Sequence, residues 1–359
     1  MYFKFTLLEN ETLRNRIVWY IRRSIAWFSG DNLPLYFAHL RNGLSETGYL
    51  LIEYVEDGQM LTVDWDEHRN DPERMNNLFR GLSRIILALA KVPLPRIGSW
   101  TMNNRGVLTL TNRPLTWHLH QAENAHIMPG DMTYTSVEPY YHDLLSCQHN
   151  RMPQQPNSIH DKADGEMQLA ALIGLRALLP KFVDRKSRNG PFFLSLTDMH
   201  HSNIFVDEDW HITRIIDLEW ACTLPLQMLG VPFWLTDKGA DQLYGSDLDE
   251  CKVTHDKFIH VLEEEESACQ VPNTCSKMMW EAWTTGRYWF SLALKHPEAL
   301  YSLFGRNIEP RFSKFDPQSD GVLMRYWDVD AANFVSDKVA ENERYNDQLR
   351  DMFAAAATS

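Results

Sequence analysis

Three polar residues, each next to a short apolar run, constrain this chain more than any other feature. Residues 192–196 form an apolar run that predicts a buried strand, and Asp198 follows it. Asn203 comes next and opens a second β-type run at 204–206, and Asp217 ends a third. An acidic turn separates the second run from the third. Two hairpin-forming segments can therefore bring the three polar residues to one point.

The chemistry of these residues fits phosphoryl transfer. A carboxylate such as Asp198 can orient an attacking hydroxyl and accept its proton. The oxygens of Asn203 and Asp217 are hard ligands of the kind that hold Mg²⁺ on nucleotide phosphates. Because Asp and Asn are common turn formers, any one of these residues alone indicates only a turn. Their order, with β-type runs between them, favours a site.

The same residues carry a resemblance to the aminoglycoside phosphotransferase-like (choline kinase-like) family. That family has a catalytic loop H-G-D-x-H-x-x-N, then a strand and I-D-W/F-E. Here residues 196–203 read L-T-D-M-H-H-S-N, and residues 216–219 read I-D-L-E. Leucine replaces the first histidine, as is common in a large fungal subgroup of the family. The resemblance implies that Asp198 is catalytic and that Asn203 and Asp217 bind Mg²⁺.

A second stretch also resembles the family. Residues 48–61 read as a buried strand followed by an acidic turn, as in the family's hinge, where the backbone hydrogen-bonds the adenine of ATP. The resemblance implies that Glu53, Tyr54 and Val55 bind the nucleotide. It covers most of the chain, from about residue 48 to about residue 289.

The fold implied is α+β and protein kinase-like. Residues 1–56 would form an abbreviated N-lobe with the hinge, and residues 57–359 a large, mainly helical C-lobe with the catalytic and metal-binding loops. Kinases place a glycine-rich hairpin and a lysine-bearing strand ahead of the small-lobe helix, which is predicted here at 10–29. Lys4, on a strand-like stretch, and Glu11 are the candidates for the kinase lysine–glutamate pair. Either the sequence starts inside the small lobe, or the protein lacks the loop that covers the phosphates.

Two functions follow from this resemblance. The first is an ATP- and Mg²⁺-dependent phosphotransferase that acts on a hydroxyl of a small molecule. The alternative is a pseudokinase, a nucleotide- or ligand-binding module without phosphotransfer activity. The missing glycine-rich loop favours the alternative. The presence of Asp198, Asn203 and Asp217 together favours the enzyme, since a binding module has no chemical need for all three.

Composition limits the partners. The chain of 359 residues has a formal net charge of -13, which argues against broad nucleic-acid binding. Its five cysteines form no C-x-x-C pair, which indicates a reducing compartment. No apolar run is long enough to span a membrane, and no signal peptide is recognisable. We therefore expect a cytoplasmic protein with a small-molecule substrate and neither nucleic acid nor membrane as a partner. The oligomeric state stays open.

Four further expectations concern local structure. The polar, proline-containing residues 148–164 predict a mobile loop. The glutamates at 263–266 are typical of a solvated helix face. By resemblance, His200 packs beneath the catalytic loop, whereas His201 is expected to face solvent. A zinc site built from these two histidines and His211 matches no standard ligand spacing.

Overall fold

A computed structural model describes residues 2–8, 11–29, 36–41, 54–103, 105–121, 127–270, 274–314 and 318–358. In this part the protein is mostly helical, with small antiparallel sheets. The helices are α1 (Leu13–Ser29), α2 (Trp65–His68), α3 (Pro72–Ala90), α4 (Trp117–Gln121), α5 (Val137–Gln154), α6 (Lys162–Phe182), α7 (Gly245–Ala268), α8 (Thr274–Thr285), α9 (Arg287–Lys295), α10 (Leu300–Leu303), α11 (Ser319–Leu323) and α12 (Ala331–Thr358). The predicted α+β class is confirmed.

The strands form short antiparallel sheets. They are β1 (Tyr2–Leu7), β2 (Tyr36–Arg41), β3 (Gln59–Met60), β4 (Ser99–Met102), β5 (Leu108–Asn112), β6 (Phe192–Leu196), β7 (Ile204–Val206), β8 (Ile212–Ile215) and β9 (Ala221–Pro225). Their orders are β1-β2, β3-β7-β8, β4-β5 and β6-β9. The three β-type runs of the motif are thus strands β6, β7 and β8.

The register of two strand pairs places the motif. Leu196, the last residue of β6, lies opposite Ala221, the first residue of β9. Ile204, the first residue of β7, lies opposite Ile215, the last residue of β8. The loop from β6 to β7 and the loop from β8 to β9 therefore leave neighbouring points, and these loops carry the three predicted site residues.

Helix α3 shows how the sequence builds the frame around these strands. Asp71 caps the helix, since its carboxylate accepts hydrogen bonds from the N–H groups of Glu73 at 2.9 Å and Arg74 at 3.3 Å. Pro72 occupies the first turn, where no N–H is needed. Leu78 and Leu82 recur at helical spacing and are fully buried. This face packs into one core shared with α5, α6, α7, α9 and the β6-β9 pair.

The prediction of a loop at 148–164 is wrong for most of its length. Helix α5 continues to Gln154, and α6 begins at Lys162. Met152 is buried, and Pro153 lies in the last turn of α5, where it ends the helix rather than excluding it. The connection is held by Ser158, whose hydroxyl donates to the Met152 carbonyl at 2.8 Å. A polar composition here marks two helix ends and a short connection.

The prediction of a solvated face at 263–266 is wrong for two of its glutamates. Glu265 is 4% exposed and accepts hydrogen bonds from Arg80 at 2.9 Å and Arg84 at 2.8 Å. Glu266 is fully buried, and its carboxylate accepts from the Cys275 N–H at 2.8 Å. The two carboxylates thus fasten α7 to α3 and to α8.

The N-terminal segment contains the predicted helix, α1, and a hairpin of β1 and β2 in which Lys4 lies opposite His39. The Glu11 carboxylate accepts a hydrogen bond from the Asn15 side chain at 2.8 Å. Its pairing with Lys4 stays a prediction, as does the domain division at residue 56. Among the described helices, none has the combination of length and apolar character that a bilayer crossing requires.

Candidate functional site

Asp198 lies just beyond the end of β6, and Asp217 lies between β8 and β9. The two loops are tied together by Thr197, whose hydroxyl donates a 2.6 Å hydrogen bond to the Trp220 carbonyl. Because β6 and β9 pair along their whole length, this bond continues the contact beyond the last strand pair. The two loops therefore hold a fixed spacing.

Asn203 links the same two loops from the other side. Its side chain is 6% exposed, and its amide nitrogen donates to the Asp198 main-chain carbonyl at 2.8 Å. Its own main-chain carbonyl accepts from the Ile216 N–H at 3.0 Å. With the amide nitrogen bound to the loop, the side-chain oxygen of Asn203 is the atom that could bind a cation.

Asp217 has a left-handed backbone, with φ 55° and ψ 57°. This conformation costs a residue other than glycine about 1–2 kcal/mol, and such residues cluster at functional sites. The Asp217 side chain is exposed. The strained backbone thus directs a carboxylate out of the protein where the two loops meet.

A small cavity of about 10 Å³ lies between the loops, and both Asp198 and Asp217 line it. A cavity of this size accommodates about one water molecule. Asn203 is outside its lining, but the Asn203 amide is bound to the Asp198 carbonyl at 2.8 Å, and Asp217 is on the neighbouring loop. Carboxylate and amide oxygens are hard ligands of the type Mg²⁺ takes, so the chemistry of these residues fits the predicted cation.

A larger cavity of about 290 Å³ opens on the other side of the Asp198 loop. Its volume is in the range of small-molecule sites, and most of its lining is apolar. The walls come from α3, α5, α9, β6 and the segment after β9. Asp198 lines this cavity as well as the small one. Of the residues that line both cavities, Asp198 is the one with a carboxylate.

The two histidines of the loop differ in their surroundings. His200 Nδ1 shares a 2.7 Å hydrogen bond with the Ser202 hydroxyl, and His200 Nε2 lies 3.9 Å from the Asp198 carboxylate. It closes the loop, consistent with a structural role. His201 stacks on Trp65 with ring centroids 5.6 Å apart and also contacts Trp234. Burial lowers its pKa. The expectation that His201 faces solvent is therefore wrong.

Two of the three predicted hinge residues are described, and neither lines the small or the large cavity. Tyr54 is 85% exposed, and Val55 is half-buried. Glu53 lies outside the described residues. The segment is connected to the site through β3, in which Met60 pairs with Phe205 of β7. Adenine binding by these three residues stays a prediction.

A second polar cluster, which sequence reasoning missed, lies at the wall of the large cavity. His118 and His296 line the cavity, and Glu298 lies beside them: the three place one ligand atom each within 4.8 Å of one another. Among the described residues, no other three His, Cys, Asp or Glu side chains come this close together. His296 and Glu298 share a 3.0 Å hydrogen bond. Burial, followed by the neighbouring His296, lowers the pKa of His118 to about 4. No sequence spacing relates His118 to the other two.

Lys295 was also missed. It is the last residue of α9 and lines the large cavity, where its ammonium donates to the Met228 carbonyl at 3.2 Å. Burial lowers its pKa to about 8. Its position in sequence, at the end of an aromatic-rich helix, gives no sign of this environment.

Comparisons with family models, with curated proteins and with solved structures find no match to the chain. The resemblance to the aminoglycoside phosphotransferase-like family therefore depends on the motif residues, and the placement of Asp198, Asn203 and Asp217 around the two loops is an independent observation.

Proposed function

We propose that the protein is an ATP-dependent phosphotransferase that phosphorylates a hydroxyl of a small molecule. The fold proposed with this function is protein kinase-like, with an abbreviated N-lobe. The observation that carries the proposal is the position of Asp198. This residue lines both the large apolar cavity and the small cavity, which Asp217 also lines. The large cavity would hold the acceptor, and the phosphates with their cation would lie outside it, against the exposed Asp217 on the other loop.

In this proposal Asp198 acts on the acceptor. A hydroxyl in the large cavity would donate a hydrogen bond to the Asp198 carboxylate, which orients it and takes its proton during transfer. The hydrogen bond from Asn203 to the Asp198 carbonyl, at 2.8 Å, fixes the loop that carries this carboxylate. Holding the hydroxyl in line with the phosphorus is the larger part of such catalysis.

Asn203 and Asp217 would hold Mg²⁺ on the nucleotide. When bound, the cation neutralises charge on the phosphates, which is the chemistry that the protein itself does not supply. The residues contribute the fixed oxygens: Asn203 from a buried side chain, and Asp217 from a backbone held in the left-handed region. Such preorganised ligands need little rearrangement when the nucleotide arrives.

A pseudokinase is the second candidate. Two observations favour it. Tyr54 and Val55, the two predicted hinge residues that the structure describes, line neither cavity. Glu11 bonds to Asn15 at 2.8 Å, which occupies the carboxylate that a kinase pairs with lysine. Such a protein would bind a ligand in the large cavity without transferring phosphate.

The test is a transfer assay with ATP labelled in its γ-phosphate, Mg²⁺ and a panel of hydroxyl compounds that includes sugars, amino alcohols and apolar hydroxy acids. We expect a labelled product with the wild type and a loss of at least about a hundredfold in turnover with Asp198→Asn. Asp209→Asn, an exposed change in the turn between β7 and β8, is the matched control and should retain turnover.

Two results would decide against the proposal. Unchanged turnover of Asp198→Asn removes the role of this residue. Ligand binding without transfer to any compound of the panel supports the pseudokinase.

A further inference from the structure

The charges of the large cavity are unusually few. Among the described residues that line it, Asp198 is the one carboxylate and Lys295 the one ammonium or guanidinium group. The remaining lining is mainly aliphatic and aromatic, with three histidines. A ligand that fills this space is therefore mostly apolar and meets one negative and one positive side chain.

Lys295 is a half-buried cation without an anion. Its ammonium donates to a neutral group, the Met228 carbonyl, and no Asp or Glu of the described chain forms an ion pair with it. An ammonium has three donors to satisfy, and removing its charge from water without a counterion is costly. Its pKa of about 8 leaves it mostly protonated at neutral pH. A ligand anion would compensate this cost.

Lys295 and Asp198 reach the cavity from different elements. Lys295 is the last residue of α9, and Asp198 follows the end of β6. Both line the same cavity. A ligand in this space can therefore meet both charges.

We infer that the acceptor is a mainly apolar molecule that carries an acidic group, which pairs with Lys295, and a hydroxyl group, which lies against Asp198. The inference rests on the proposed function for the role of the hydroxyl, but the anion site at Lys295 stands on the cavity alone.

The same charges disfavour cationic ligands. A compound with several ammonium groups needs several carboxylates, and the described lining of the cavity offers Asp198 alone.

The experiment is isothermal titration, without nucleotide, of three ten-carbon compounds: ω-hydroxydecanoate, decanediol and ω-aminodecanol. They share the chain and one hydroxyl and differ only in the charge at the other end. We expect ω-hydroxydecanoate to bind at least about tenfold more tightly than decanediol, and ω-aminodecanol to bind most weakly. Lys295→Met should remove the difference between the acid and the diol. Lys277→Met, an exposed change on α8, should preserve it.

The wild type supplies a second measurement that needs no variant. The wild type alone should rank the three compounds in this order, acid above diol above amine, at neutral pH.

The outcomes separate the two proposals. Equal binding of the acid and the diol, a preference that survives Lys295→Met, or no binding of any of the three compounds overturns the inference about the acceptor. Binding of ω-hydroxydecanoate that depends on Lys295, without transfer of phosphate to it from any nucleotide, leaves the anion site standing and counts against the proposed function.

Discussion

The side-chain amide of Asn203 donates a 2.8 Å hydrogen bond to the main-chain carbonyl of Asp198. A residue predicted to bind a metal thus also fixes the loop of the residue predicted to receive the hydroxyl. Because Asn203 is almost fully buried, its amide has few alternative partners. The position of the proposed base and the position of the proposed ligand are therefore set by one side chain.

Replacing Asn203 by alanine should destabilise the protein. The change leaves the Asp198 carbonyl without its buried donor, and we expect a loss of about 1–3 kcal/mol in the free energy of unfolding, measured by urea denaturation. Asn77→Ala is the matched control. Its amide also donates to a main-chain carbonyl, that of Asp209 at 2.9 Å, but the bond is exposed. A loss in Asn77→Ala as large as in Asn203→Ala contradicts the account.

Glu265 should control stability in acid. The hydrogen bond from Arg84, followed by the one from Arg80, lowers its pKa despite the opposing effect of burial. Stability from this carboxylate is complete above its ordinary pKa in the unfolded chain and is lost as pH falls through the lower folded value. Glu265→Gln should cost roughly 1–3 kcal/mol at neutral pH, a modest figure because both arginines are partly exposed.

The Glu265→Gln variant should also show a flatter decline of unfolding free energy in acid than the wild type. Glu263 is exposed on the same helix. Glu263→Gln should therefore change neither the free energy of unfolding at neutral pH nor its decline in acid. If the free energy of unfolding declines equally steeply in acid for the wild type and Glu265→Gln, the Glu265 carboxylate is not linked to folding.

Lys295 should make the protein less stable at neutral pH than at alkaline pH. Its folded pKa, about 8, is below the ordinary value of 10.5, so the unfolded chain binds the proton more tightly. The free energy of unfolding should therefore gain a contribution as pH rises from about 8 toward the ordinary lysine value. Lys295→Met should raise it by about 1–3 kcal/mol at neutral pH and remove this rise. Thermal unfolding of the wild type and of Lys295→Met across this pH range measures the difference in stability, with Lys277→Met as the control. A Lys295→Met variant that is less stable than the wild type contradicts the prediction.

Sequence reasoning succeeded where structure is local. Strand β6 and the cap at Asp71 are predicted because the signals that form them lie within a few residues. The order of Asp198, Asn203 and Asp217 is likewise local, since two successive hairpins bring them together.

The failures concern side chains whose partners are distant in sequence. His201 stacks on Trp65, and Glu265 pairs with Arg80 and Arg84, in each case across more than a hundred residues. The residues next to a histidine or a glutamate in the sequence do not predict such a distant partner. Burial of Lys295 is similar, because its cavity is assembled from several helices and β6. The polar, proline-containing composition of residues 148–164 predicts a loop, but Pro153 only ends α5 and does not prevent it.

The central claim is that Asn203 and Asp217 hold a cation on ATP beside Asp198, and titration calorimetry of ATP with and without Mg²⁺ tests it most directly. The wild type should bind ATP in a Mg²⁺-dependent manner. Asp217→Asn should weaken this binding at least about tenfold, whereas Asp198→Asn and the exposed control Glu208→Gln should stay within about twofold of the wild type. Binding by the wild type that is absent or indifferent to Mg²⁺, or an Asp217→Asn variant that binds as the wild type does, would contradict the account.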